Sequence, residues 1–99
     1  MGIIERNIDK IKELCVQHKV ATLFVFGSAV TNRFNSESDV DLLVDFKDVE
    51  LYDYADNYFN LKSSLEEIFK RKVDLLESKA LNNPFLISSI NQTKQVIYE

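Results

Sequence analysis

Four residues have types and a spacing that could support phosphate chemistry. Gly27-Ser28 follows an apolar segment, and ten residues separate it from Asp39 and Asp41. Glycine lets the backbone approach a phosphate closely, and the N–H and hydroxyl of Ser28 can donate to the anion. Two aspartates that are two apart on a strand project from the same face, and carboxylates together with substrate phosphates are ligands that Mg²⁺ prefers. The stretch therefore predicts a site for a metal-bound nucleotide.

A third carboxylate would complete such a site. Neighbouring carboxylates repel each other unless a cation lies between them, and three of them can hold the two metal ions of polymerase-type chemistry. Asp74 lies on another predicted strand, with the parity that could face the pair. Asp45 lies about 13 Å from Asp41 at roughly 3.3 Å per residue along its strand, so we prefer Asp74. The reaction natural to this set is in-line attack on an α-phosphorus with release of pyrophosphate.

The elements that must position these residues follow from the spacing of apolar side chains. Ile4, Ile8, Ile11 and Cys15 recur at helical steps, whereas 39–46 alternates, with Val40 and its apolar partners on one face and the acids on the other. Asn83-Pro84 is typical of a helix N-cap followed by proline at the first helical position. We predict helices over 3–18, 50–70 and 84–90, strands over 20–26, 39–46 and 72–77, a connection over 29–38 with one short helical turn, and a short final segment over 95–98.

This order predicts an α/β (α+β) fold with a small mixed sheet whose helices pack mainly on one face. With 99 residues we expect a single domain over 1–99. The fractions of 45% hydrophobic and 28% charged residues are those of a globular protein.

Charge and cysteine content exclude several classes of protein. The net charge of −4 argues against a general nucleic-acid binder, and the basic cluster Lys70-Arg71-Lys72 complements the end of a predicted helix. No apolar run reaches the roughly 18 residues of a membrane span. Cys15 is the only cysteine, which fits a cytoplasmic location, and it continues an apolar stripe, which favours a core role over catalysis with His18.

Three segments carry a resemblance to a known family: 23–28, 38–44 and 71–76, with a further likeness in the tail over 80–98. On these segments the chain resembles the minimal nucleotidyltransferases, the MNT-type antitoxins of the DNA polymerase β superfamily. The resemblance implies the nucleotidyltransferase fold, Mg²⁺ ligation by Asp39, Asp41 and Asp74, and contacts of Gly27 and Ser28 with the phosphates of ATP. Two Mg²⁺ ions are expected when the nucleotide is bound.

The chain departs from that family after Gly-Ser. Many members have arginines and a glycine there, whereas here 29–32 reads Ala-Val-Thr-Asn and Arg33 is the first cation. Arg33 is the candidate to contact the nucleotide in their place, and a solvent-facing arginine is the alternative. The departure bears on triphosphate binding and turnover, and it leaves the metal ligands unchanged.

The resemblance also implies an acceptor. Such chains are similar to antitoxins that pair with a HEPN-domain ribonuclease toxin and transfer AMP to one of its tyrosines, which implies a hetero-oligomer. From the charge and the short apolar runs we expect no direct contact with nucleic acid or membrane. A non-catalytic antitoxin that masks the toxin by binding, or a nucleotidyltransferase acting on a small molecule, are the alternatives. Aromatic residues of this chain could form a partner surface or belong to the core: Tyr52, Tyr54, Tyr58, Phe59 and Tyr98.

Overall fold

The computed structural model describes residues 2–27 and 38–99. Ser28, Arg33 and the helical turn predicted within 29–38 lie outside the described residues. The helices are α1 (Gly2–Arg6), α2 (Ile8–Gln17), α3 (Leu51–Phe69) and α4 (Pro84–Thr93), the strands are β1 (Val20–Phe26), β2 (Val40–Phe46), β3 (Val73–Glu77) and β4 (Gln95–Tyr98), and a 3₁₀ turn spans Ser78–Ala80.

The prediction of one helix over 3–18 is wrong at Asn7, which separates α1 from α2. The Asn7 side-chain amide donates to the Ile3 carbonyl at 2.8 Å. Asparagine competes in this way with regular helical hydrogen bonds, which accounts for the break. The apolar stripe survives it, because Ile4, Ile11 and Cys15 are all buried.

The sheet is mixed, as predicted, and its strand order is β3-β2-β1-β4. β1 pairs antiparallel with both β2 and β4, and β2 pairs parallel with β3 through the crossover helix α3. The final segment, to which the sequence assigned no type, is therefore an edge strand.

One face of the sheet packs on α1, α2 and α3, as expected. The alternating apolar residues of β2 belong to this core, together with residues of the helices: Val40, Leu42, Val44, Phe46, Ile11, Cys15, Leu61 and Leu65. The second face carries Phe24, Phe26, Leu43 and Leu76, and Ile90 of α4 packs against them. The helix α4 covers only part of this second face, and the carboxylates lie on the same face. Over 2–27 and 38–99, every helix is too short or too polar to cross a lipid bilayer.

Candidate active site

The register of β2 and β3 places Asp41 directly beside Asp74. The parallel pairing matches Val40 with Val73 and Asp41 with Asp74. Neighbouring strands lie about 4.8 Å apart, so the two carboxylates leave the sheet as adjacent side chains. Because Val40 and Val73 are both buried in the core, Asp41 and Asp74 must point to the other face. The preference for Asp74 over Asp45 is consistent with this register.

Asp41 is the most perturbed of the described carboxyl groups. Burial raises its pKa above the usual value, and the charges of Asp74 and Asp39 raise it further. Asp41 is half-buried, whereas Asp39 and Asp74 are exposed. Negative charge thus gathers at one point of the sheet, where a cation would relieve the repulsion.

Gly27 brings the end of β1 against the same carboxylate. Its φ is +71°, in the left-handed region that favours glycine, and a Cβ built on it would lie 3.3 Å from the Asp41 Cγ and closer still to a carboxylate oxygen. The preceding residue, Phe26, pairs with Asp41 across β1 and β2. The start of the predicted phosphate turn and the aspartates therefore meet at one end of the sheet.

Two contacts fix the chain segments that lead into the aspartates. The Arg71 guanidinium donates to the Ser38 carbonyl at 3.2 Å, and the Val40 N–H donates to the Lys72 carbonyl at 3.1 Å. Arg71 therefore ties the residue before Asp39 to the start of β3, a positioning role that the sequence did not indicate beyond a basic helix end. The only sequence signal for it was its place in the segment 71–76, because its contact spans 33 residues.

The crossover helix holds β3 in place from the core side. The Tyr58 hydroxyl donates to the Leu75 carbonyl at 2.5 Å, and a Glu66 carboxylate oxygen accepts from the Val73 N–H at 3.0 Å. Both contacts lie within two residues of Asp74. They oppose a shift of β3 along β2.

The structure does not bring Asp45 to this end of the sheet. Its carboxylate lies 3.8 Å from the Lys79 ammonium, four residues along β2 from Asp41. Within the described ranges, no group of three or more His, Cys, Asp or Glu side chains is arranged so that it could hold a metal ion as it stands. Asp39, Asp41 and Asp74 nevertheless supply hard oxygen donors, and their repulsion at Asp41 is what a divalent cation would offset, so this donor set fits Mg²⁺.

The tyrosines of α3 divide between core and surface. Tyr54 and Tyr58 pack against the core, and the Tyr54 hydroxyl donates to a Glu77 carboxylate oxygen at 2.6 Å. Tyr52, by contrast, is 96% exposed, and Phe59 is 60% exposed. The second pair is therefore available to meet a partner in the fold as it stands.

Comparisons with known proteins indicate the family of this chain. The family model described as "Polymerase beta, Nucleotidyltransferase" matches residues 9–99. A protein of Methanocaldococcus jannaschii named "Putative protein adenylyltransferase MJ1379" is 33% identical over 95 residues, which cover 88% of this chain and 94% of that protein.

Solved structures share the fold. One described as a "putative minimal nucleotidyltransferase" superposes with a TM-score of 0.76 at 25% identity, covering 93% of this chain and 90% of that one. A complex of a tri-AMPylated HEPN toxin with an MNT antitoxin from Shewanella oneidensis matches with a TM-score of 0.65 at 18% identity. The match covers 95% of this chain and 71% of that one. With the paired aspartates beside a glycine turn and a family match over nearly the whole chain, we conclude that this protein belongs to the polymerase β nucleotidyltransferase family and is an adenylyltransferase-like nucleotidyltransferase.

Proposed function

We propose that this chain transfers AMP from ATP to a tyrosine of a separate HEPN-family ribonuclease toxin and so acts as its antitoxin. The observation that carries the proposal is the register of Asp41 with Asp74, beside the left-handed Gly27. The names of relatives support the transferred group, since they are described as protein adenylyltransferases. The fold match to an MNT antitoxin in complex with an AMPylated HEPN toxin supports the kind of partner.

The transfer balances as a single in-line displacement. The tyrosine hydroxyl oxygen of the acceptor forms a bond to the α-phosphorus of ATP, and the bond from that phosphorus to the bridging oxygen of pyrophosphate breaks. Asp74 is exposed at the strand surface and accepts the hydroxyl proton. Pyrophosphate leaves with the electron pair of the broken bond.

The remaining site residues hold the nucleotide. In this proposal Gly27 and Ser28 contact the phosphates of ATP, and Arg33 adds positive charge there. Asp39, Asp41 and Asp74 would bind Mg²⁺, which when bound neutralises charge on the phosphates and the leaving group. Burial and the charges of Asp74 and Asp39 raise the pKa of Asp41, so a cation bound at this point would offset the repulsion that Asp41 experiences.

AMP on the toxin would silence it through charge and bulk. The added phosphate carries negative charge, which repels the RNA backbone from a modified active site. The complex of enzyme and toxin is a hetero-oligomer, and we place it in the cytoplasm, in keeping with a chain that has one cysteine.

Intact-mass measurement of a HEPN-family toxin encoded beside this protein tests the proposal. We expect the toxin to gain the mass of AMP when mixed with the protein, Mg²⁺ and ATP, and to gain nothing with Asp41→Asn or Asp74→Asn. Asp45→Asn is the matched control, since Asp45 lies on the same strand face but beside Lys79, away from the site. This variant should transfer AMP as the wild type does.

Two outcomes would contradict the proposal. Neutralisation of the toxin that survives Asp41→Asn without any change in mass would instead mean inhibition by binding alone. AMP that appears on a small hydroxyl compound and never on the toxin would mean a small-molecule nucleotidyltransferase.

A further inference from the structure

A cavity of about 170 Å³ lies between α4 and the second face of the sheet. Its wall is largely apolar, with Phe24 and Leu43 from the strands and Ile87 and Ile90 from the helix. Asn91 and Lys94 add polar groups. An enclosed apolar space of about 150 Å³ admits benzene, so this cavity is large enough for a planar ring, and its opening to solvent leaves room for more.

The cavity is next to the carboxylates on the same face of the sheet. Leu43 follows Asp41 by two residues, a distance of about 7 Å along the strand. Across β1, Phe26 pairs with Asp41 and Phe24 pairs with Leu43. The surface therefore changes from charged at Asp41 to apolar at Leu43. A nucleotide shows the same change in polarity, from its charged phosphates through its ribose to its base.

We propose that this cavity is the nucleobase subsite and that Asn91 reads adenine. The inference rests on the proposed function, which places the phosphates at Gly27 and the carboxylates. A purine ring in the cavity stacks against Phe24, as bases stack on aromatic side chains in other proteins. The Asn91 amide then pairs with the N6 and N7 edge of adenine, a pairing that guanine does not offer.

The present contacts of Phe24 leave its ring available for stacking. The Lys94 ammonium lies 4.7 Å from the centroid of the Phe24 ring, and Phe24 is only partly buried where it packs against the apolar cluster on the second face. Lysine has a flexible four-carbon stem, and the base displaces the ammonium toward the phosphates.

Calorimetric titration with Mg²⁺ and three probes tests the subsite: ATP, GTP and inorganic tripolyphosphate. For Asn91→Ala we expect ATP affinity to fall about tenfold, within the range for loss of one bidentate amide–adenine pair, while tripolyphosphate affinity stays the same. Gln92→Ala is the matched control, because Gln92 is the next residue of α4, is exposed and does not line the cavity. It should leave all three affinities unchanged.

A second variant fills the cavity. Ile87→Trp should lower ATP affinity at least about tenfold and spare tripolyphosphate, because only the base needs the space. Ser88→Trp adds the same ring at an exposed neighbouring position of α4 and should change neither affinity. Circular dichroism checks that Ile87→Trp folds. If it does not fold, the Asn91→Ala variant still tests the subsite, because Asn91 is exposed and its replacement should not disturb folding.

The subsite is overturned if the variants change ATP and tripolyphosphate affinity equally, or if Asn91→Ala leaves the preference for ATP over GTP intact. This outcome is separate from failure of the proposed function. A base preference that depends on Asn91, without AMP transfer to the toxin, would leave the subsite standing and refute the proposed acceptor.

Discussion

At the scale of single residues, Gly27 and Asp41 depend on each other. The backbone of Gly27 takes a positive φ, and the position of a Cβ on it is already occupied by the Asp41 side chain. Any larger residue must both strain the backbone and push the carboxylate aside. The smallest possible change, to alanine, therefore affects folding and catalysis together.

Gly27→Ala should lower the free energy of unfolding by about 1–3 kcal/mol, the cost of a non-glycine residue in a sparsely populated backbone region. AMP transfer should fall by about 10- to 100-fold, because Asp41 is displaced. Urea denaturation and initial rates measure the two effects. Gly2→Ala is the matched control, since a Cβ on Gly2 meets nothing within 4 Å and this variant should be neutral or slightly more stable. Equal effects of the two substitutions would show that the close approach of Gly27 to Asp41 is irrelevant.

Asp41 should also make stability depend on pH. Burial and the charges of Asp74 and Asp39 raise its pKa above 3.8, so the folded state holds this proton more tightly than the unfolded state does. The stabilisation that protonated Asp41 provides is therefore fully present below the pKa of Asp41 in the unfolded state. It is lost as the pH rises through the higher pKa of Asp41 in the folded state. Without metal, Asp41→Asn should have a higher Tm than wild type at neutral pH, because the substitution removes a charge that burial and the neighbouring carboxylates disfavour.

Thermal melts at neutral pH and near pH 3 measure this difference. The advantage of Asp41→Asn should shrink at the acidic pH, where the wild-type carboxyl is protonated. A difference in Tm that is constant across this range would rule out repulsion at Asp41 as its cause. Added Mg²⁺ should narrow the gap at neutral pH, because it binds the wild-type carboxylates more tightly.

At the scale of elements, α4 begins at a cap that the sequence predicted. The Asn83 side-chain oxygen accepts from the N–H groups of Phe85 and Leu86 at 3.0 and 3.2 Å, and Pro84 occupies the first turn. The helix so started then carries Ile90 onto the second face of the sheet. Its stability depends on this cap because the rest of its surface is largely exposed.

Asn83→Ala should lower the free energy of unfolding by about 1 kcal/mol, the usual cost of losing an N-cap side chain. Asn82→Ala is the control, because Asn82 is the same residue type one position earlier, is exposed and does not cap the helix. Urea denaturation of both variants measures the difference. Equal stabilities would mean that the two hydrogen bonds to Asn83 do not contribute.

The strand faces could be predicted from the sequence because they depend on local backbone geometry. Alternation along β2 predicted the faces of Val40 and Asp41, and the same parity on β3 predicted the direction of Asp74, because strand periodicity is set by the backbone alone. The break at Asn7 was missed since a local side-chain hydrogen bond competes with helical spacing there. The pairing of β4 with β1 and the contact of Arg71 with Ser38 were also missed, because both join residues far apart in the sequence.

At the scale of the whole molecule, α1, α2, α3 and the four strands share one large core on the first face of the sheet. Cys15 lies within it at 0% exposure, and burial raises its thiol pKa to about 12. A thiol must be ionised and accessible to react, and in the folded state Cys15 is neither. Its reactivity therefore reports the opening of the entire core.

Labelling of Cys15 by a thiol reagent at pH 8 should be at least about 1,000-fold slower in the native protein than in urea, in line with the usual folding equilibrium of small domains. The free energy of opening from labelling rates should equal that from urea denaturation. Rapid labelling of native protein would show that α2 opens separately from the rest of the core.

The alternation of Asp74 with Val73 and Leu75 has a consequence for quality control in the cell. If β3 slipped by one residue against β2, Asp74 would enter the core and Val73 would take its place in the site. A misregistered molecule would be inactive, and it would also expose apolar side chains of the kind that chaperones and proteases recognise. Chaperones and proteases that remove misfolded proteins would therefore also remove molecules whose active site is in the wrong register.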